Sequence, residues 1–262
     1  MDLTLDVLGM LATVAFCAGF FDAIIGGGGL ITLPVLLLSG VDPMSAIATN
    51  KFQAASATIS ATTAFARKGM IEWREGKFLV LCAGLGGAGG AMLISLVNKR
   101  WLEAGVPIML VCMAIYFAFS PQFGNEVRRQ RMSIGIFSFT MAPILGFYDG
   151  IFGPGTGSFL MVGFILLCGL DMMRAIGFTK MANAASNVGS LSIFMMNGAI
   201  IWPIAVAMAI ASFAGAQFGA RAAIRVGPRL IKPMLIIVCC ALAIKLLGST
   251  NNPLRAAVLD LL

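Results

Sequence analysis

The 262-residue chain carries 59 % apolar but only 11 % charged side chains, and its mean hydropathy is +0.96. A soluble domain carries about 25 % charged residues, so this composition excludes a soluble protein and indicates that lipid covers most of the surface. The net charge of +7 does not indicate nucleic-acid binding, because the basic residues cluster between apolar segments. The chain has no histidine, and its six cysteines lack metal-ligand spacing, so we expect neither a metal nor another cofactor.

A transmembrane helix needs about 20 mainly apolar residues, and each half of the chain contains five apolar segments. In the first half they cover 5–25, 30–39, 44–66, 77–97 and 104–120. In the second half they cover 132–152, 158–170, 174–197, 200–221 and 230–248. The second segment of each half is too short to span the bilayer as a straight helix. We expect it to be a discontinuous or re-entrant element, buried in protein rather than exposed to lipid.

The two halves carry related motifs in the same order. FFDAIIGGGG at 20–29 matches FYDGIFGPGT at 147–156, and SGVDPMSAIATNK at 39–51 matches CGLDMMRAIGFTK at 168–180. Chance rarely aligns an aspartate, an intramembrane lysine and a glycine in one order. The sequence therefore predicts two transmembrane repeats, residues 1–126 and 127–262, which together form one membrane domain.

The charges of the loops predict the orientation of the repeats. With ten crossings and the N-terminus outside, the inner loops hold twelve basic residues and the outer loops three, as the positive-inside rule requires. Four crossings per half would instead place the basic loops 67–77 and 221–232 on opposite sides. An odd number of crossings per half inverts the second repeat. The predicted fold is an all-α integral membrane protein with two inverted five-segment repeats, comprising about eight full spanning helices and two short or re-entrant helices.

The first polar cluster is a helix break that follows an intramembrane aspartate in both halves. Its glycines are Gly26, Gly27, Gly28 and Gly29 after Asp22, and Gly153 and Gly155 after Asp149. Backbone N–H groups that become free at such a break form an anion-binding nest. A purely structural break is the alternative, but paired interruptions at matching positions are typical of the binding sites of repeat transporters.

The second polar cluster surrounds one lysine in each half. Its members are Thr49, Asn50, Lys51 and Gln53, matched by Thr179, Lys180, Asn183 and Asn187. A charged residue at the bilayer centre costs at least about 2.5–3.5 kcal/mol, so each lysine requires compensation. Each lies about 10 Å from the start of its segment, at 1.5 Å per residue, so snorkelling to the interface is one alternative. The other is charge compensation inside the bundle, by the aspartates or by an anionic substrate.

Asp22 and Asp149 are the carboxylates that we place in the membrane interior, and two roles are open to them. Each is either a static counter-ion for a lysine or a group that takes up a proton during transport. The sequence alone does not distinguish the two roles.

One motif runs from Asp22 through the glycines and Pro34 to the tetrad Ala-Thr-Asn-Lys at 48–51, and a weaker copy follows Asp149. This motif resembles that of the TauE/SafE family of bacterial sulfite exporters. This family is also called the 4-toluene sulfonate uptake permease family, and the resemblance covers nearly the whole chain. It implies transport of small anions, often sulfur oxyanions or organosulfonates, across the bacterial inner membrane. It also implies that the glycines 26–29, Asn50, Lys51, Gln53, Lys180 and Asn183 form the site.

The second copy departs from the pattern, because Pro154 replaces Gly27 and Phe178-Thr179 replaces the Thr-Asn pair. We therefore expect the halves to contribute unequally to one asymmetric site. The predicted protein is a secondary transporter working by alternating access, with a small anion as substrate, the proton as a candidate coupling ion and both termini in the periplasm. A passive anion channel is the alternative, and a membrane-embedded enzyme is disfavoured by the lack of histidine. Exposed GxxxG-like surfaces allow a homodimer without requiring one.

Overall fold

A computed structural model of the chain describes residues 4–98 and 129–226, together with scattered positions between 101 and 116. The described residues form eight complete helices and no strand. In chain order these are α1 Leu5–Ile25, α2 Gly29–Leu38, α3 Pro43–Arg67, α4 Trp73–Ser95, α5 Ile134–Ile151, α6 Thr156–Leu166, α7 Met172–Met196 and α8 Trp202–Val226.

The helix bounds follow the predicted apolar segments closely. The scattered described positions of the predicted segment 104–120 are helical, and the predicted segment 230–248 lies outside the described residues. Among the described residues, α1, α4, α5 and α8 are long and apolar enough to cross a membrane. The described part of the chain is therefore all-helical, as expected of a multi-pass membrane protein, while the inverted orientation and the number of spanning helices stay predictions.

Helices α3 and α7 are the longest pair of matched elements, and each contains 25 residues. Both begin at an aspartate that the sequence motifs align. The Asp42 carboxylate accepts a hydrogen bond from Ser45 N (3.2 Å), and the Asp171 carboxylate accepts from Met173 N and Arg174 N (3.0 and 3.1 Å). A side chain in this position satisfies backbone donors of the first turn, which have no partner within the helix. These recurring aspartates are therefore helix caps.

The short elements α2 and α6 contain 10 and 11 residues, which gives each a length of about 15 Å. Most side chains of both helices are buried. This agrees with the expectation that the second segment of each half is a short helix covered by protein rather than by lipid.

The most extensive helix packing joins the two halves of the chain: α4 packs on α5 and α7, and α8 packs on α1 and α3. Glycines allow this close approach. A Cβ atom on Gly19 of α1 would overlap the backbone of Ser212 in α8, and one on Gly90 of α4 would overlap the carbonyl oxygen of Phe147 in α5. Small residues at such contacts let helix backbones come together without a hydrophobic driving force. The packing leaves α3 and α7 in the interior.

Candidate functional site

The two helix breaks contact each other in the interior of the bundle. Gly26, Gly153 and Gly155 have φ values of 78°, 88° and 83°, which are left-handed conformations that only glycine adopts without strain. A Cβ atom on Gly26 would lie 2.6 Å from the Cα atom of Gly157. The Ser158 hydroxyl donates to the carbonyl oxygen of Gly26 over 2.8 Å. The first break therefore packs directly against the start of α6.

Asp22 binds the backbone of the first break. Its Oδ1 accepts hydrogen bonds from Gly27 N (3.0 Å) and Gly28 N (3.1 Å). Two N–H groups of the predicted anion nest are therefore bonded to a carboxylate of the protein itself. The Lys180 amine donates to the backbone carbonyl oxygen of Asp22, and its Nζ atom lies 3.5 Å from Asp22 Oδ2.

A second ion pair forms beside the other break. Lys51 Nζ lies 2.9 Å from Asp149 Oδ1 and donates to Asn187 Oδ1 over 3.3 Å. The other oxygen of this carboxylate, Oδ2, accepts a hydrogen bond of 2.6 Å from the Ser186 hydroxyl. Gly153 lies against the pair, because a Cβ atom there would lie 2.6 Å from Lys51 Nζ and 3.0 Å from Asp149 Oδ1.

Both lysines are compensated inside the bundle. Each side chain is 1 % exposed, so neither amine snorkels to the interface, and each lies against an aspartate of the other half. A buried ion pair recovers the cost of desolvation only when additional hydrogen bonds satisfy the remaining groups, and both pairs have them. The four ionised groups carry no net charge together. An anion that enters this interior therefore finds no excess positive charge unless one pair changes.

A small polar cavity of about 20 Å³ lies between the breaks and α3 and α7. Ten of the residues predicted for the site line it: Asp22, Gly27, Gly29, Asn50, Lys51, Asp149, Gly153, Gly155, Asn183 and Asn187. Ala54, Thr58 and Gly157 complete the wall. The cavity therefore brings together residues from both halves and both polar clusters.

The other predicted residues lie behind this wall or face elsewhere. Gly26 packs on Gly157, Gly28 packs on α1, and Lys180 contacts Asp22 from outside the cavity lining. The Thr49 hydroxyl accepts from Ile201 N over 3.1 Å, which directs it to the start of α8.

Gln53 and Thr179 are also buried outside the cavity lining. The Gln53 carbonyl oxygen accepts from the Ser212 hydroxyl, while the Gln53 Oε1 and Thr179 Oγ1 atoms are buried without a hydrogen-bond partner among the described residues. Thr179 is the repeat counterpart of Asn50, which accepts from the Thr32 hydroxyl. Residues at matching positions of the two repeats therefore do not have matching hydrogen-bond partners.

Thr58 is a member of the wall that the sequence motifs did not indicate, whereas Asn187 belongs to the predicted second cluster. In the alignment of the halves, Thr58 corresponds to Asn187, and Ala54 to Asn183. Positions 50, 51, 54 and 58 share one face of α3, and 179, 180, 183 and 187 share the same face of α7. Extending the lysine motif of the first half by helical spacing would therefore have found Thr58. Only α3 exposes its full set to the cavity.

The family model named Sulfite exporter TauE/SafE matches residues 11–246. The chain belongs to this family. A probable membrane transporter protein of Sinorhizobium sp., ORF9, is 41 % identical to this TauE/SafE protein over 97 % of both chains. The probable membrane transporter protein YfcA of Escherichia coli (strain K12) is 39 % identical over 94 % of this chain and 91 % of its own. A probable membrane transporter protein of Haemophilus influenzae is 38 % identical over 94 % of this chain and 96 % of its own.

No solved structure matches this TauE/SafE protein significantly. The ion pairs and the cavity are therefore assigned from its own geometry. The matches cover most of the chain and of each relative, and the family match includes both breaks and both lysines.

Proposed function

We propose that this TauE/SafE protein is a secondary transporter that moves a small anion across the bacterial inner membrane by alternating access. The proposed substrate is a sulfur oxyanion or an organosulfonate. One observation carries the proposal: a polar cavity in the membrane interior lies between two helix breaks and is lined by a buried lysine and two asparagines of the opposite half.

The chemistry of the wall suits an oxyanion. The Lys51 ammonium group and the amide groups of Asn50 and Asn183 supply hydrogen-bond donors at the cavity, whereas the Asn187 amide nitrogen already donates to Asn183. Helices α2 and α6 begin beside it, at Gly29 and directly after Gly155, so the positive ends of two helix dipoles face the same space. A charge-assisted hydrogen bond from an ammonium group to a sulfonate or sulfite oxygen is about twice as strong as a neutral one.

The size of the cavity supports a carrier. A volume of about 20 Å³ accommodates about one water molecule, and sulfite has four non-hydrogen atoms. The walls must therefore separate before an anion of this kind binds. Movement of one repeat against the other would open the site to one side at a time, and the inverted repeats predicted from the sequence favour this mechanism. In this orientation both termini lie in the periplasm.

Transport in proteoliposomes tests the proposal. Purified protein would be reconstituted, and uptake of sulfite, thiosulfate and methanesulfonate would be measured with acetate as a carboxylate control. A carrier gives saturable uptake that is accelerated by the same anion on the opposite side. Lys51→Met should abolish it, whereas Ser192→Ala, an exposed residue away from the cavity, should not.

Three outcomes contradict the proposal. Failure of all three sulfur anions to move would exclude the substrate class. Unaltered uptake by Lys51→Met would exclude the site. Ionic currents without acceleration by the opposite-side anion would identify the passive channel instead.

A further inference from the structure

The two buried ion pairs differ in the groups that hold their carboxylates. Asp22 Oδ1 accepts two backbone N–H groups, from Gly27 and Gly28. A backbone N–H is only a donor, so both bonds need Oδ1 as an acceptor, and they are strongest when the carboxylate is ionised. Its lysine is also engaged with the backbone, since the Lys180 amine donates to the Asp22 carbonyl oxygen. Protonation of Asp22 would weaken the bonds that shape the α1–α2 turn.

Asp149 is held by groups that tolerate a proton. Among the described residues its partners are the Lys51 amine at Oδ1 and the Ser186 hydroxyl at Oδ2, and no backbone N–H contacts it. A hydroxyl both donates and accepts. Ser186 Oγ also lies 3.1 Å from the carbonyl oxygen of Asn183, which is a second acceptor. A protonated Asp149 can therefore donate to Ser186 Oγ while the Ser186 hydrogen turns to Asn183, so the Ser186 hydroxyl keeps a hydrogen-bond donor and an acceptor.

Among the described residues, Lys51 is the charged side chain that contacts the Asp149 carboxylate. Helix α3 presents Lys51, and α7 presents Ser186, with Asn187 reaching the same amine. Helix α4 approaches α5 through glycines, and among the described contacts none of its side chains forms an ion pair or a hydrogen bond with the carboxylate. On α5 itself the Tyr148 hydroxyl donates to the Pro154 carbonyl oxygen over 2.7 Å. Asp22 of α1 lies on the cavity wall as well, and Lys180 is held at its backbone.

We propose that Asp149 takes up a proton when the anion binds, and that the Lys180–Asp22 pair is a fixed clamp on the first helix break. This inference rests on the proposed function. With Asp149 ionised, the Lys51–Asp149 pair is neutral. A proton from the aqueous phase converts it to a carboxylic acid and a free ammonium group, which carries one positive charge. A monovalent anion then pairs with Lys51, and the occupied site is neutral again. One proton accompanies each such anion.

The different positions of Lys51 and Lys180 support the assignment of different roles to the two ion pairs. Lys51, Asp149 and Asn187 line the cavity, so an anion there reaches the amine that protonation of Asp149 releases. Lys180 does not line the cavity. Gly153 has no side chain to separate the amine from the cavity, and a Cβ atom there would lie within 2.6 Å of Lys51 Nζ.

Infrared difference spectroscopy with methanesulfonate tests the inference. This anion stays ionised across the working pH range, so any proton taken up belongs to the protein. Adding it at constant pH should produce a carboxylic-acid carbonyl band, and surface carboxylates cancel in the difference. We expect the band to be lost in Asp149→Asn and retained in Asp22→Asn. If Asp22→Asn does not fold, Lys180→Gln serves as the clamp variant, in which the band is likewise retained.

The companion measurement is transport of methanesulfonate in proteoliposomes with a pH indicator inside. Wild-type protein should move about one proton with each anion, and Asp149→Asn should exchange the anion without proton movement. A band that persists in Asp149→Asn, or that disappears in the clamp variant, overturns the inference. So does anion transport by the wild type without a band. In contrast, a wild type that transports none of the sulfur anions overturns the proposed function itself.

Discussion

Lys51 Nζ lies 2.9 Å from Asp149 Oδ1, although the two residues belong to different halves of the chain. The reciprocal pair, Lys180 with Asp22, also joins the halves, but its Nζ–Oδ2 distance is 3.5 Å. Each lysine is thus neutralised by the aspartate of the other half. These crossed ion pairs link the two helix breaks to α3 and α7, the helices that carry the lysines.

Removing one member of the Lys51–Asp149 pair should destabilise the protein, and removing both should not. Lys51→Met leaves a buried carboxylate without its counter-ion, which costs about 3–5 kcal/mol, whereas apolar replacement of a whole buried pair is often neutral. The double variant Lys51→Met with Asp149→Leu should therefore recover most of the lost thermal stability in detergent while remaining inactive. Ser192→Ala is the control, and a double variant no more stable than Lys51→Met contradicts the prediction.

Gly153→Ala should impair transport more than it impairs stability. Residue 153 has a φ of 88°, and an added Cβ atom would lie 2.6 Å from Lys51 Nζ. Gly69→Ala is a matched control, because it has a φ of 71° but nothing within 4 Å of an added Cβ atom. Both substitutions carry backbone strain of about 1–2 kcal/mol.

The melting temperatures of these two variants should accordingly fall by similar amounts. Transport by Gly153→Ala should drop at least tenfold below that of Gly69→Ala, since a displacement of the amine costs on the order of 1.4 kcal/mol or more in anion binding. Equal transport by both variants would show that the space beside Lys51 is not used by the substrate.

Substitution by alanine should have opposite effects on stability at two neighbouring glycines of α4. A Cβ atom at Gly90 would overlap the carbonyl oxygen of Phe147 in α5, so Gly90→Ala should separate the two helices and lower the melting temperature. At Gly89 the nearest atom is a ring carbon of Phe147 at 3.6 Å, an ordinary contact. Gly89→Ala should be neutral or stabilising by up to about 1 kcal/mol, because alanine favours helix. The opposite order would contradict the α4–α5 packing.

Cysteine labelling should place the α3–α4 and α7–α8 loops on opposite sides of the membrane. Lys68 and Met196 are exposed at matching ends of α3 and α7, and each would be replaced by cysteine in a variant without the native cysteines. With inverted repeats, a membrane-impermeant thiol reagent should label Met196→Cys in intact cells and Lys68→Cys only after the membrane is opened. Labelling of both from the same side would indicate parallel repeats.

The sequence by itself determined the membrane class, the bounds of most helices and the presence of two aspartates and two lysines within apolar segments. These properties depend on local hydropathy, on caps such as Asp42 and Asp171, and on glycine runs, all of which can be read within a few turns. Only the tertiary structure decided which aspartate neutralises which lysine. Partner choice depends on how α1 and α5 pack beside α7 and α3, and residues distant along the chain set that packing. The tertiary structure also decided where three further side chains lie. Thr49 bonds to the start of α8, Thr179 lies outside the cavity lining, and Asn187 accepts a hydrogen bond from the Lys51 amine.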